Sequence, residues 1–198
     1  MDKTMNLYCY WDGSPMSDNR KECFDTLPNT KLDVHLITPQ NMRGYLGEDP
    51  HPKFKALSSN HQSDYIRCHM LHFYGGGYSD IKNTSESWLP SIEEFEMKPY
   101  IWGMGYKEVP NGWARIKGNP ELSTKLKNNR GKLIGNGAFI FKAKTEFTYK
   151  WYERMLLKME EPSLEWSELQ GQVFHPLCLE YHEQILNTLP MPSLKEYR

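Results

Sequence analysis

Three consecutive glycines at positions 75–77 set the sharpest constraint on how this chain can fold. Glycine takes positive φ angles freely and favours the position just after a helix, so the run predicts the end of a helix over residues 61–74. Residues 78–81 can then run as a short strand. The sequence therefore predicts a helix, a glycine turn and a strand in direct succession.

The predicted helix has two different faces. Asp64 and Arg67 are three residues apart, so they share one face. Ile66, Met70 and Phe73 have the spacing of an opposite, buried face. On an ordinary helix such a charged pair is a surface ion pair of small energetic value, and that interpretation stays open here.

A carboxylate closes the predicted strand. Asp80 falls near its C-terminal end, which is where ligands bind in open α/β sheets. Lys82 follows two residues later and points to the same side of the strand. An acid and a cation on a helix, followed by a strand-end carboxylate, predict a site for a diphosphate and a metal ion.

The rest of the chain alternates between strands and helices. Strands are predicted at residues 6–11, 32–37, 100–104 and 133–141, and helices at residues 18–27, 38–46, 88–96, 146–159 and 177–189. Residues 106–131 are rich in Gly, Asn and Lys and predict a long loop or an irregular hairpin. No internal repeat or linker appears, which predicts one α/β domain over residues 1–198 with a mixed sheet flanked by helices.

Composition narrows the classes of function. The 198 residues carry a net charge of −1 and no polybasic run, so nucleic acid is not an expected partner. Four cysteines lie far apart without a CxxC pair, which favours reduced thiols in a cytosolic protein over a zinc site or a disulfide framework. No apolar run is long enough to span a bilayer and no signal peptide opens the sequence, so a soluble, cytoplasmic protein is expected.

The residues around the glycines resemble a family pattern. That pattern is Ser-Asp-x-x-Arg followed by Tyr-Gly-Gly-x-Tyr-x-Asp-x-Asp, and the matching positions are Ser63, Asp64, Arg67, Tyr74, Gly75, Gly76, Tyr78 and Asp80. It is similar to the core of the GT-A glycosyltransferases with a DXD sugar-binding region, which include mannosyltransferases, capsule enzymes and glucosylating toxins. The resemblance covers about a tenth of the chain and implies a GT-A-like, Rossmann-related fold.

The resemblance also implies a function. A sugar would move from a nucleotide-sugar donor, by analogy a UDP-sugar, to a hydroxyl of a glycan or glycoprotein acceptor, and Mn²⁺ or Mg²⁺ would assist. The implied donor contacts are Tyr10, Trp11, Asp64, Arg67, Asp80 and Lys82, and the implied acceptor-side residues are Asn136 and Gly137. Core packing explains an aromatic residue at a strand end equally well, and a bulge in a core strand is the alternative for the asparagine and glycine.

Lys82 departs from the family pattern, because it occupies the position of the second DXD aspartate, which binds the ion in the family. A protonated lysine cannot ligate a metal, although its ammonium can neutralise diphosphate charge. Asp80 would then hold the ion with the two phosphates. Related enzymes bring a C-terminal residue back to the metal, which makes His175 the candidate second ligand and His182 the runner-up.

The sequence leaves the catalytic group and two other classes of protein open. A retaining enzyme needs no general base, whereas an inverting one needs a carboxylate near the acceptor hydroxyl. Glu165 and Glu168 are candidates for that base, and solvated acids at a helix start explain them equally well. The alternative function is a catalytically inactive nucleotide-sugar or glycan-binding module. A dinucleotide oxidoreductase is disfavoured, because its glycines should follow a strand and precede a helix.

Overall fold

The computed structural model describes residues 5–109, 116, 119–162 and 169–193, which form a six-stranded mixed sheet with helices on both faces. The strands are β1 Asn6–Tyr10, β2 Asp33–Ile37, β3 Gly76–Ser79, β4 Gly103–Lys107, β5 Ile134–Phe141 and β6 Ile185–Leu186. The α-helices are α1 Asp18–Thr26, α2 Met42–Leu46, α3 Ser59–Phe73, α4 Leu89–Glu96, α5 Pro120–Asn128, α6 Glu146–Met159 and α7 His175–Glu180. The predicted mixed α/β sheet flanked by helices is confirmed.

The strand order is β2-β1-β3-β5-β4-β6. Strand β1 pairs in parallel with β2 and β3, while β5 runs antiparallel between β3 and β4, and β6 pairs in parallel with β4. These directions bring the carboxyl ends of β1, β3 and β4 and the amino end of β5 to one edge of the sheet. We call it the carboxyl edge, and it is where ligands bind in open α/β sheets.

Alternate side chains of β1 enter two separate apolar cores, because successive strand residues point to opposite faces. On one face Tyr8 belongs to a cluster with Phe139 and Trp151, which α3 and α6 cover. On the other face Leu7 packs with Trp88 beside α1 and α4. Burial of a side chain such as Leu7 contributes about 1.5–3 kcal/mol, so both layers hold the sheet rigid beneath the carboxyl edge.

Two predicted helices form with the expected signals. Ser17 caps α1 by accepting a hydrogen bond from the Arg20 backbone N–H, and the helix ends close to the predicted position. Helix α6 spans Glu146–Met159 as predicted, and Phe147 and Met155 lie on its buried side.

The glycine turn exists, but its boundary differs from the prediction. Gly75 and Gly76 have φ angles of +67° and +103°, and a Cβ at Gly76 would lie 2.8 Å from the Asn6 carbonyl oxygen. Only glycine therefore leaves room for β1 at position 76. Gly76 is the first residue of β3, so the strand begins there rather than at residue 78. The prediction that Phe73 is buried is also wrong, because 38% of it is exposed at the end of α3.

The predictions beyond residue 100 were less accurate. Strand β4 begins at Gly103 rather than at residue 100, because its partner β5 ends at Phe141, the residue that pairs with Gly103. The predicted loop 106–131 contains α5, which Asn119 caps by accepting from the Leu122 N–H. The predicted helix 177–189 stops at Glu180, and the chain returns to the sheet as β6.

The four cysteines are free thiols in buried positions. Burial raises the pKa of the Cys9 thiol to about 12, so this group stays protonated and unreactive. Among the described helices, none combines the length and the apolar character needed to cross a membrane.

Candidate functional site

Helix α3 brings Asp64 and Arg67 to the carboxyl edge. Ser58 caps the helix by accepting a hydrogen bond from the His61 N–H, which fixes where the helix begins. Further along the helix the Arg67 guanidinium lies over the Tyr78 ring, with its Cζ 4.3 Å from the ring centroid. This cation–π contact joins the helix to β3 directly beneath the site.

Arg67 is a buried hub, and its side chain is only 5% exposed. Its Nε donates to the Ser63 carbonyl oxygen at 3.2 Å, and its Nη2 donates to Ser63 Oγ at 2.8 Å and to Asp80 Oδ1 at 3.1 Å. Its Nη1 donates to the carbonyl oxygen of Asn136. These hydrogen bonds commit the guanidinium to protein groups, so Arg67 holds α3, β3 and β5 together.

Asp64 lies next to this hub. Its Oδ1 is 3.5 Å from Arg67 Nε and accepts a hydrogen bond from Asn136 Nδ2 at 3.2 Å. Burial raises the pKa of the Asp64 carboxyl above its usual value, while the Arg67 charge and the Asn136 amide oppose that rise. The structure thus brings the predicted donor residue Asp64 and the predicted acceptor-side residue Asn136 into direct contact.

Asp80 extends the β3–β5 pairing by one residue, because its N–H donates to the Gly137 carbonyl oxygen at 2.7 Å. Its two carboxylate oxygens face different cations. Oδ1 accepts from Arg67, and Oδ2 lies 3.3 Å from Lys82 Nζ. The Asp80 side chain is 28% exposed and that of Lys82 only 6%, so the carboxylate borders solvent above a buried ammonium.

Two glycines of β5 make room for this arrangement. A Cβ at Gly137 would lie 2.7 Å from Lys82 Nζ, 3.2 Å from Asp80 Oδ2 and 3.2 Å from the Tyr106 hydroxyl. A Cβ at Gly135 would lie 2.0 Å from the Tyr106 ring. The Tyr106 hydroxyl accepts a hydrogen bond from the Gly137 N–H at 3.3 Å, and burial raises its pKa to about 12. The neutral tyrosine therefore forms one wall around Lys82.

This packing makes Gly137 a sensitive position. We expect Gly137→Ala to lower the free energy of unfolding by about 1–3 kcal/mol, because the new methyl group forces Lys82 and Tyr106 to move. Urea unfolding measures the change. Gly44→Ala is the matched control, since its Cβ meets nothing within 4 Å in α2, and alanine there should raise stability by up to about 1 kcal/mol. Equal stability of Gly137→Ala and wild type would contradict this account.

The two aromatic residues at the end of β1 take different positions. Tyr10 is buried, its ring lies edge-on to Phe54, and its hydroxyl donates to Gln62 Oε1 at 2.8 Å. Its ring therefore belongs to the core. Trp11 is half-buried at the carboxyl edge, and the Arg20 guanidinium lies 5.6 Å from the centre of its ring. Of the two, Trp11 is the residue whose ring stays partly exposed at the carboxyl edge.

The remaining predicted residues have other partners or fall outside the described part of the chain. His175 opens α7, and its Nε2 is 3.2 Å from Glu108 Oε2 in a pair that is almost fully buried. His182 Nδ1 lies 3.0 Å from the Leu179 carbonyl oxygen. Glu165 and Glu168 fall outside the described residues.

The donor set at Asp80 does not fit the divalent ion that the family resemblance implies. Both of its oxygens face cations, and the predicted second ligand, His175, pairs with Glu108. Two like unit charges 4 Å apart repel by about 4 kcal/mol at the effective dielectric constant near a protein surface. The Lys82 ammonium therefore opposes a metal at the position where Asp80 could bind it.

Sequence reasoning missed two contributors to the site, which are Tyr78 and Tyr106. Tyr78 was matched only as part of the family pattern, and Tyr106 fell in the predicted loop. One available signal was the alternation of Gly135 and Gly137 on a single face of a strand, which leaves space for a large neighbour. The neighbour that fills this space is Tyr106 of β4.

Comparison of the chain with protein-family models, curated proteins and solved structures found no match. The functional interpretation is therefore based on the geometry of the carboxyl edge and on the residue pattern around the three glycines.

Proposed function

We propose that this chain is a glycosyltransferase with a GT-A-like, Rossmann-related fold and a single domain over residues 1–198. It moves a sugar from a nucleotide-sugar donor, a UDP-sugar by analogy, to a hydroxyl of a glycan or glycoprotein. One observation carries the proposal: Asp64 and Arg67 of α3 meet Asp80 and Asn136, which lie further along the sequence, at the carboxyl edge. Asp64, Arg67 and Asp80 belong to the pattern in which the chain resembles the sugar-binding region of that family, and Asn136 is an acceptor-side residue that the resemblance implies.

The chemistry of the edge supports this function. A nucleotide-sugar donor presents a flat base, a doubly charged diphosphate and a set of hydroxyls. Trp11 supplies a half-buried ring for the base, and the Lys82 ammonium supplies positive charge. Asp80 supplies a partly exposed carboxylate that can accept hydrogen bonds from hydroxyls. Its position is fixed by Arg67 and by the backbone bond to Gly137, which provides the rigidity that a binding site needs.

In glycosyl transfer the bond between the sugar C1 and the diphosphate oxygen breaks, and negative charge develops on the leaving diphosphate. A fixed positive group next to that oxygen stabilises the transition state, an effect that typically amounts to several kcal/mol. The acceptor hydroxyl forms the new bond to C1 and loses its proton. Glu165 and Glu168 remain the candidates to accept that proton if the enzyme inverts configuration.

A second candidate function is a non-catalytic module that binds a nucleotide-sugar or a glycan. The observation that favours it is the engagement of both Asp80 oxygens by internal cations. Release of UDP from a panel of UDP-sugars, with and without an acceptor hydroxyl, separates the two functions. A module binds the donor without releasing UDP, whereas the transferase releases it in every turnover.

A thermal-shift panel tests the donor class. UDP should raise the melting temperature more than GDP, CDP or NAD, because a ligand of the folded state stabilises it by mass action. At a concentration of one hundred times Kd the stabilisation is about 2.7 kcal/mol. Each kcal/mol shifts the midpoint of a domain of this size by about 2–4 °C. Equal shifts for all nucleotides, or none in buffers with either EDTA or Mn²⁺, would overturn the UDP assignment.

A further inference from the structure

We propose that the Lys82 ammonium replaces the divalent ion as the counter-charge for the donor diphosphate, so that this chain binds a nucleoside diphosphate without metal. The inference rests on the proposed function and deepens it. Three observations carry it: the burial of Lys82, the charge balance of the site and the commitment of Arg67 to protein groups.

Lys82 is built into the site rather than left at its surface. A solvated lysine keeps its head group in water, whereas the side chain of Lys82 is 6% exposed and its Nζ is fixed 3.3 Å from Asp80. Fixing so long a side chain costs about 1.5–2 kcal/mol of rotamer freedom. Gly137 keeps the space around Nζ clear, and Tyr106 closes another side. A lysine that had only taken the place of a lost metal ligand could extend into solvent and would not need this packing.

The charge balance of the site explains the residue type. The two acids Asp64 and Asp80 and the two bases Arg67 and Lys82 cancel, so the cluster is formally neutral. With a carboxylate at position 82 the same cluster would carry two negative charges, which one divalent ion would neutralise. Lysine reaches the same neutral total without an ion. The substitution therefore changes the source of the positive charge and keeps the net charge of the cluster at zero.

Two other cations among the described residues of the edge have structural tasks. Arg67 donates its hydrogen bonds to Ser63, Asp80 and Asn136, so it positions the carboxylate. Arg20 donates to the Ile81 carbonyl oxygen between Asp80 and Lys82, which fixes the backbone there. Lys82 is thus held between two positioned segments, with its charge beside the partly exposed Asp80.

Calorimetric titration with UDP and UMP, each in EDTA and in Mn²⁺, tests the proposal on the wild-type chain. The expected result is a Kd for UDP that changes less than about threefold between the two buffers. Chelation tests the ion directly and does not depend on whether any variant folds. UDP binding that is lost in EDTA and restored by Mn²⁺ would overturn the proposal and leave the proposed glycosyltransferase intact. Absence of UDP binding and UDP release in both buffers would instead overturn the proposed function.

Variants of Lys82 provide a second test of the proposal. Lys82→Met should weaken UDP binding by roughly 10- to 100-fold, the range for loss of a hydrogen bond to a charged group, and UMP binding by less. The ratio of the two affinities is the decisive readout, because a purely structural lysine would affect both nucleotides equally. Lys142→Met is the matched control, since the Lys142 ammonium donates to two carbonyl oxygens and lies near the Phe95 ring at the other end of β5.

Lys82→Asp restores the family pattern at position 82 and should make UDP binding depend on metal. We expect its affinity for UDP to fall at least tenfold in EDTA and to recover in Mn²⁺. Lys82→Arg keeps the charge and should stay insensitive to EDTA. An Asp variant that ignores Mn²⁺, together with a Met variant that binds UDP like wild type, would show that position 82 does not neutralise the diphosphate.

Discussion

Replacement of Arg67 by alanine should lower the free energy of unfolding by about 3–5 kcal/mol, the usual range when one partner of a buried ion pair is removed. Arg67 is 5% exposed, and its loss leaves Asp64 and Asp80 without their shared cation. The Ser63 and Asn136 carbonyl oxygens lose a donor as well. Urea unfolding at neutral pH measures the effect directly.

Arg43→Ala is the matched control for this prediction. Arg43 pairs with Asp49 on the surface, and both side chains are more than three-quarters exposed. Its removal should change stability by no more than about 0.5 kcal/mol. Arg67→Lys is a second test, since lysine keeps the charge but not the planar fork that reaches three partners at once. A cost below about 1 kcal/mol for Arg67→Ala would show that the guanidinium does not hold the site together.

The position and burial of Arg67 show what the sequence could and could not predict about the site. Its three-residue spacing from Asp64 predicted a shared face of a helix, and the two side chains do meet. Helical periodicity gives direction around an axis but not depth below the surface, so it could not distinguish a surface pair from a buried hub. Strand β5 buries the pair, because its Asn136, which lies 69 residues after Arg67, covers it.

Lys82, which follows β3, is a second residue whose burial could not be predicted from local sequence patterns. The end of β3 was predictable within two or three residues, because the glycines and Asp80 mark it. The burial of Lys82 depends on Tyr106 and on the missing side chain of Gly137. Those residues reach Lys82 only through the pairing of β3, β5 and β4, which local sequence patterns do not specify. The sequence thus predicted the residues of the site better than their partners.

The strands and helices that were misplaced have a common cause. Residues 100–104 have high strand propensity, yet β4 begins at Gly103 because its partner β5 ends at Phe141, which pairs with Gly103. In the same way, β6 replaces the second half of a predicted helix because Ile185 pairs with Gly103 at the sheet edge. Where a neighbouring strand supplies the decisive contact, tertiary pairing overrides local propensity.

Replacement of Asp80 is the second change for which we expect a large loss of stability. A double-mutant cycle with Lys82 tests whether the loss comes from the ion pair between the two side chains. Asp80→Asn should cost about 3 kcal/mol, the low end of the range for a broken buried pair, because the Asp80 side chain is 28% exposed. The variant leaves the Lys82 ammonium buried without the carboxylate that neutralises it. Lys82→Met should cost less, since Asp80 keeps its bond to Arg67.

The double variant Asp80→Asn/Lys82→Met should be more stable than the sum of the two single effects predicts, because removal of both partners leaves neither charge of this pair without the other. The expected coupling is at least 1 kcal/mol, within the range for contacting charged residues. Urea unfolding of wild type, both single variants and the double variant gives this value. Single effects that add within about 0.5 kcal/mol would contradict the pairing of Asp80 with Lys82. If the double variant keeps its fold but no longer binds UDP, the charges serve the ligand rather than the stability of the sheet edge.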